Sequence, residues 1–258
     1  MDERERVVEF IRELGRRAAG REEEFPFGVA HFHKELPRVW SRNYLLAERN
    51  LEAATAPLLA AEADRILGGA GLAHRKVEVN DEAVGARLEP EFKSLGWDVH
   101  CDVLMVARRA PDRPIDTSHV EKVGAEQLDA VWAEGIRTEP YGGDDDVVRQ
   151  LVANKRVLMA AMDTSFFAAR VDGAVASYCE LYSDGTTGQI EAVGTLEQFR
   201  NQGLARATVS RALQASREAG NDLTFLMALR DDWPKELYRK LGFEEIGLVY
   251  EFVKPAGA

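Results

Sequence analysis

The sequence predicts an α/β fold of the α+β kind, a mixed and mostly antiparallel sheet flanked by helices. Three observations predict it. The second half alternates helical and extended periods in the order helix, helix, three strands, helix, strand, helix, strand. Asp172-Gly173 and Asp184-Gly185 separate the three strands, and Asp-Gly tolerates the positive φ angles of tight hairpin turns. A hydrophobic fraction of 45% supplies a core, while 21 Gly and 9 Pro in 258 residues exclude collagen-like and low-complexity chains.

Taken in order, residues 1–20 read as an amphipathic helix with Val7, Val8, Ile11 and Leu14 on one face. The apolar runs F-G-V-A-H-F and Y-L-L-A between Phe27 and Leu46 carry no decisive period. Leu51 to Leu67 is rich in Ala and Leu and reads as a helix stopped by Gly68-Gly69. His74 to Val79 follows as a strand, then a helix blurred by Pro90, then a strand from Val99 to Val106. In the second half the helices are Ala125 to Arg137, one beginning after Asp144-Asp145-Asp146, Gly203 to Ala219, and Pro234 to Leu241. Ser165 to Val171, Ala174 to Tyr182 and Gly188 to Thr195 form an antiparallel meander, and Leu223 to Ala228 and Ile246 to Val253 are the later strands.

At about 150 residues per domain, this length corresponds to about 1.7 domains. The segment R-R-A-P-D-R-P-I-D-T, Arg108 to Thr117, carries two prolines and no period, so the boundary is expected there, giving domains 1–117 and 118–258. F-K-S-L-G-W at Phe92 to Trp97 echoes Y-R-K-L-G-F at Tyr238 to Phe243, which suggests that the halves are structural repeats.

The net charge, 33 − 44 = −11, argues against nucleic-acid binding, which needs clustered Lys and Arg. The charged N-terminal segment lacks the apolar run of a signal peptide, and no window reaches the about 20 apolar residues of a membrane span. Cys101 and Cys179 lack metal-site or disulfide spacing, and a cytoplasmic location is expected. Asp144-Asp145-Asp146 reads as helix capping, and His31-x-His33 lacks further ligands for zinc, so no metal is expected. Cys179 reads as a packed small hydrophobe, and Trp132 and Trp233 as core or acceptor-wall residues.

The most informative stretch is Q-I-E-A-V-G-T-L-E-Q-F-R-N-Q-G-L-A-R, Gln189 to Arg206. A strand ends at Thr195, and a short loop leads into a helix. Unpaired backbone N–H groups and the helix dipole there converge on one point, an anion site built mainly from backbone. Gly203 removes a side chain where a phosphate would approach, and Arg200 and Arg206 add positive charge to an otherwise acidic half.

This stretch and its element order resemble the GNAT superfamily of N-acetyltransferases, whose pyrophosphate signature, Arg/Gln-x-x-Gly-x-Gly/Ala, is here R-N-Q-G-L-A. The resemblance covers residues 118–258, and Tyr238, Gly242 and Phe243 add a Tyr-x-x-x-Gly-Phe motif. The first half is similar to a degenerate copy that has A-E-R-N-L-E-A-A-T-A and no Gly at the matching place. The resemblance implies a GNAT fold in tandem with that copy, and acetyl-CoA as cosubstrate. It implies pantetheine pairing with the backbone of Val193, Gly194 and Thr195, and a pyrophosphate loop of Asn201, Gln202, Gly203, Leu204, Ala205 and Arg206 with Arg200 at its entrance. Tyr238 matches the tyrosine that protonates the departing thiolate. Seven residues earlier, where many members have Asn, this chain has Asp231.

An amine acceptor must lose a proton, so a carboxylate base is expected. Glu191 leads, with Glu180, Tyr182 and Glu139 as alternatives. Neither cysteine is placed for a covalent intermediate, so the expected reaction is direct attack of a primary amine, on a small molecule or a protein, upon acetyl-CoA. The alternative functions are a non-catalytic acyl-CoA or amine sensor of the same fold, and transfer from a longer acyl-CoA.

Overall fold

In the computed structural model, which describes residues 1–255, the chain divides into two compact units. The larger comprises Met1–Phe10 and Leu104–Ile246; the smaller comprises Ile11–Val103 and the chain from Gly247 on. The division falls inside two long strands, β5 (Asp98–Ala107) and β11 (Phe243–Lys254), and not in the 108–117 segment. That segment is a strap of the larger unit. Its Arg108 and Arg109 N–H groups donate to the Gly242 carbonyl at 3.0 and 3.1 Å, and Asp112 N–H donates to the Lys240 carbonyl at 2.8 Å. Prolines and missing periodicity mark irregular backbone, which can be hydrogen-bonded in place as well as free.

α1 (Glu3–Ala18) forms as its period predicts, burying Val7, Phe10 and Leu14, with acidic residues in its first turn and Arg16 and Arg17 in its last. In the smaller unit the strand order is β1 (Arg21–Phe25), β2 (Gly28–Phe32), β3 (Tyr44–Ala47), β4 (Arg75–Val79), then the end of β11. β1, β2 and β3 pair antiparallel, β3 and β4 parallel, and β4 and β11 antiparallel. The undecided runs after Phe27 are therefore β2 and β3. β1 is built from R-E-E-E-F, whose charges suit an edge strand.

α2 (Ala56–Ala63), continued by a π-helical turn at Asp64–Gly68, joins β3 to β4, and α3 (Glu82–Ser94) follows β4. The helix expected from Leu51 starts five residues later. Thr55 accepts from Leu58 N–H, and Pro57 occupies a first-turn position where the missing N–H costs nothing. Leu45, Leu59, Val77, Phe92 and Phe252 fill this core, with Phe92 stacked on Phe252 at 4.1 Å.

The larger unit carries β6 (Val120–Val123), a 3₁₀ turn at Ala125–Gln127, α4 (Asp129–Arg137), α5 (Asp145–Ala161), β7 (Asp163–Val171), β8 (Ala174–Ser183), β9 (Thr187–Thr195), α6 (Leu204–Glu218), β10 (Leu223–Leu229) and α7 (Pro234–Lys240). β6 was not expected, because four residues, V-E-K-V, are too few to show a period. The strand order is β10-β9-β8-β7-β6, with the predicted meander antiparallel and β9 parallel to β10 across the α6 connection. Asp144 caps α5, its carboxylate accepting from Asp146 N–H at 2.9 Å, as its sequence predicts.

The faces of β8 are divided. Ser177 and Cys179 meet α6, where Cys179 Sγ lies 3.6 Å from the Thr208 carbonyl. Tyr178, Glu180 and Tyr182 take the opposite face, where Lys155 of α5 reaches Glu180. Among the described residues no helix is long and apolar enough to cross a membrane.

Candidate active site

The site begins where two parallel strands part. β9 pairs with β10 only over Thr187–Ile190 against Leu223–Leu226, so the β10 side of Glu191–Thr195 has no strand partner. On its other edge β9 stays paired to β8, but the register shifts: Tyr178 opposes Gly194 and Glu180 opposes Glu191. Ala192 and Val193 thus face a single residue, Cys179, in a β-bulge, and Ala192 takes a positive φ of 52°. The bulge turns β9 away from β10 and leaves backbone edge available for an extended ligand. Ser177 holds the bulged strand by donating to the Gly194 carbonyl at 2.9 Å, and Tyr178 lies so close to Gly194 that any Cβ there would strike its ring. Val193, Gly194 and Thr195 therefore line this opening.

From Thr195 the chain makes a 3₁₀ turn, Glu197–Phe199, and Arg200 Nε donates back to the Thr195 carbonyl at 3.4 Å. Asn201 then adopts φ 64° and Gly203 φ 78°, which aims the chain into α6. Gly203 offers no side-chain cap, and the first backbone bond is from Ala207 N–H to the Gly203 carbonyl at 3.2 Å. The N–H groups of Leu204, Ala205 and Arg206 are the orphan donors of this turn. A Cβ on Gly203 would meet no atom of the protein, so its left-handed backbone, rather than crowding by the protein, requires glycine. Arg206 corrects the charge expectation. Its side chain is buried and ion-paired with Asp112 of the 108–117 strap, so of the two arginines only Arg200 extends exposed beside the loop.

Beside the opening lies a polar cluster on the α5 face of the sheet. Glu180 is fully buried, paired with Lys155 Nζ at 2.5 Å and accepting from the Tyr182 hydroxyl. Glu191, its cross-strand neighbour, accepts from Gln189 Nε2 at 2.9 Å. Burial pushes the Glu191 pKa up, the Ala192 backbone N–H and then Lys155 pull it down, and the Glu180 charge pushes it up again. Tyr238, on the short helix α7, is 7% exposed, and its phenol is pushed up by burial and then by the Glu191 charge. Tyr178 is pushed up to about 12 by burial, then by Glu180, Glu134 and Glu139.

The structure thus brings together Glu191, Glu180, Tyr182 and Tyr238. Glu139 lies exposed beyond α4, close enough for its charge to act on Tyr178 but outside the hydrogen-bonded cluster. Burial raises the Cys179 thiol far above neutral pH and so keeps it protonated. Sequence reasoning missed Lys155, Tyr178 and Asp112. Tyr178 was legible, since Y-C-E-L-Y places Tyr178, Glu180 and Tyr182 on one side of a strand. Lys155 was not, because A-N-K-R reads as a solvated helix face.

Residues 162–245 match the family model described as an acetyltransferase (GNAT) domain. This segment is a GNAT acetyltransferase domain. The match spans β7 through α7 and so contains the strand opening, the R-N-Q-G-L-A loop and Tyr238. A curated relative, an uncharacterised N-acetyltransferase of Chlorobaculum tepidum, is 27% identical over 114 residues, 44% of this chain and 68% of the relative.

Among solved structures, a conserved protein of unknown function from Staphylococcus epidermidis superposes with TM-score 0.69 at 16% identity, covering 91% of this chain and 93% of that one. A GCN5-related N-acetyltransferase from Kribbella flavida gives TM-score 0.66 at 20% identity, covering 100% and 97%. A tandem GNAT protein from the clavulanic acid biosynthesis pathway gives 0.53 at 15% identity, covering 78% and 70%. At these identities the structural likenesses speak for the fold. Among the described residues no group of three or more His, Cys, Asp or Glu is arranged to hold a metal ion.

Proposed function

We propose that this chain is an acetyl-CoA-dependent N-acetyltransferase that acts on a primary amine by direct attack, with its one CoA site in the larger unit. The observation that carries the reading is the continuous run from the parted β9 and β10, through the bulge at Ala192, to the uncapped start of α6. An extended pantetheine arm fits the free edge of Val193, Gly194 and Thr195. The pyrophosphate fits the N–H groups from Asn201 to Arg206, with Arg200 alongside.

Bound acetyl-CoA supplies the thioester. Glu191 takes the proton that the amine must lose, its pKa raised above the ordinary carboxylate value by burial. As the amine nitrogen bonds to the acetyl carbon and the carbon–sulfur bond breaks, Tyr238 gives its phenolic proton to the leaving sulfur. A phenol pushed above its ordinary value is fully protonated at neutral pH. Holding both reactants in line supplies much of the acceleration.

The smaller unit reads as a repeat without a CoA site. Its β1-β2-β3 meander, α2, parallel β4 and α3 repeat the order of β7-β8-β9, α6, β10 and α7. Three changes disable it. β3 stays paired with β4 to its last residue, Ala47. The N–H groups of the first turn of α2 are consumed, Ala56 by Glu91 Oε2 at 2.9 Å and Leu58 by Thr55, while Pro57 has none. Phe92 stands where the echoing motif has Tyr238, and so lacks the hydroxyl.

The reading is tested by thiol release from acetyl-CoA with a panel of diamines, amino acids, aminoglycosides and lysine peptides. Turnover on at least one amine is expected. Tight CoA binding with no turnover across the panel makes the chain a sensor instead, and faster release from a longer acyl-CoA changes the donor.

A further inference from the structure

One half-buried charge, held by a fully buried carboxylate, has no task in the transfer just described. Lys155 projects from α5 with its Nζ 2.5 Å from Glu180 Oε1 and 5.4 Å from the Trp132 ring centroid. Glu180 is committed on both oxygens, to Lys155 and to the Tyr182 hydroxyl. Buried ion pairs are weak sources of stability, since apolar residues of similar size commonly do as well. A packed core alone therefore does not account for an ammonium placed beside the carboxylate pair Glu180 and Glu191. Glu191 differs from its neighbour: it takes neutral donors, Gln189 Nε2 and the Ala192 backbone N–H, and has no ion-pair partner of its own among the described contacts.

The groups that face Glu191 come from several elements. Glu180 and Tyr182 belong to β8, Lys155 to α5, Tyr238 to α7 and Gln189 to β9 itself, and Met227 Sδ of β10 lies 3.8 Å from Gln189 Nε2. Tyr182 donates its proton to Glu180, and Tyr238 is neutral at working pH, so the charges at issue are one ammonium and two carboxylates. Burial and Glu180 favour a proton on Glu191; the Ala192 backbone N–H, Lys155 and Gln189 oppose them, and of these three Lys155 alone brings a full charge. If the proton stayed, Glu191 could not take one from the amine.

We infer that Lys155 is a positioning residue for the proposed transfer: clamped by Glu180 above the Trp132 ring, its ammonium keeps Glu191 ionised and ready to accept the proton of the incoming amine. The inference rests on the proposed acetyl transfer with Glu191 as base. It assigns Glu180 the role of anchoring Lys155 rather than of acting as a base itself.

The test is the pH dependence of kcat/KM for acetyl transfer by wild type, K155M, K155R and E180Q, each checked for folding by circular dichroism. K155M should move the acidic limb up by about one pH unit, a rate loss of about tenfold on that limb that fades as the pH is raised. K155R should keep the wild-type limb. E180Q removes a carboxylate charge and the anchor of Lys155 together, so it is compared with the double variant E180Q/K155M, whose limb should lie above that of E180Q if the Lys155 charge acts on Glu191. A folded K155M with its limb unmoved, or with a loss equal at every pH, overturns the inference. If K155M does not fold, the comparison of E180Q with E180Q/K155M decides, and equal limbs in those two overturn the inference equally. Absence of turnover by the wild-type chain on every amine overturns the proposed function and this inference with it, whereas turnover with unmoved limbs overturns this inference alone.

Discussion

Gly203 and Tyr238 allow the proposed binding and the proposed chemistry to be tested separately at the scale of single residues. Gly203 has φ 78° and open space before it, so a larger residue strains the backbone and projects towards the position proposed for pyrophosphate. Gly203→Glu should weaken CoA binding by about a hundredfold, equivalent to about 3 kcal/mol, with an unchanged circular dichroism spectrum. Unchanged affinity in calorimetry would refute the loop assignment. Tyr238→Phe keeps the aromatic ring that packs 6.2 Å from Phe243 and removes only the hydroxyl. It should lower kcat by about a hundredfold and leave CoA affinity within roughly twofold; wild-type turnover would remove the proposed acid role. Both residues were legible from sequence because each stands in a motif with fixed spacing. Arg206 directly follows the R-N-Q-G-L-A motif, yet the direction of its side chain is not legible there, since its partner Asp112 lies 94 positions away in the chain.

Helices α2 and α6 show how the same element can be closed or open at its start. In α2 the side chains of Thr55 and Glu91 take up the available first-turn donors, while Gly203 brings no side chain to α6. Thr55→Ala should cost about 1 kcal/mol in denaturant unfolding without affecting CoA binding. A loss of CoA affinity in that variant would contradict the placement of the site in the larger unit. The strongly periodic elements, α1 and the β7-β8-β9 meander, could be read from sequence because a single buried face sets their period. β1 and β6 could not. Each is short, and each becomes a strand because a neighbour supplies a ladder: Val29 opposes Glu24 in β1, and Ala168 opposes Glu121 in β6.

Two consequences belong to the whole molecule. One open and one closed helix start imply one CoA per chain, and isothermal titration should give a stoichiometry of about one; two sites per chain would show that the smaller unit also binds. The second concerns acid stability. His31 and His74 are almost fully buried, and burial lowers both pKa values from 6.5 to about 4. The unfolded chain takes up these protons below pH 6.5 and the folded chain only near pH 4, so stability present above pH 6.5 is lost as the pH falls between them. At pH 5 the loss is roughly 2 kcal/mol for each histidine, measurable as a fall in the urea midpoint between pH 7 and pH 5. His31→Phe should reduce that fall, and an unchanged pH dependence would show that His31 is not buried in its neutral form.

The amino-acid sequence by itself determined the fold class, the meander, the R-N-Q-G-L-A loop and the tyrosine motif, because each depends on residues close together in the chain. Short-range periodicity and turn chemistry are local physics. Tertiary structure alone decided which groups meet across long separations. It made the 108–117 segment, where the boundary was expected, a strap of the larger unit, and it paired Arg206 with Asp112. It also set Lys155 between Trp132 and Glu180, and it parted β9 from β10 after Ile190. Those outcomes follow from packing and from the demand that buried charges find partners, and neither is written in any single stretch of sequence.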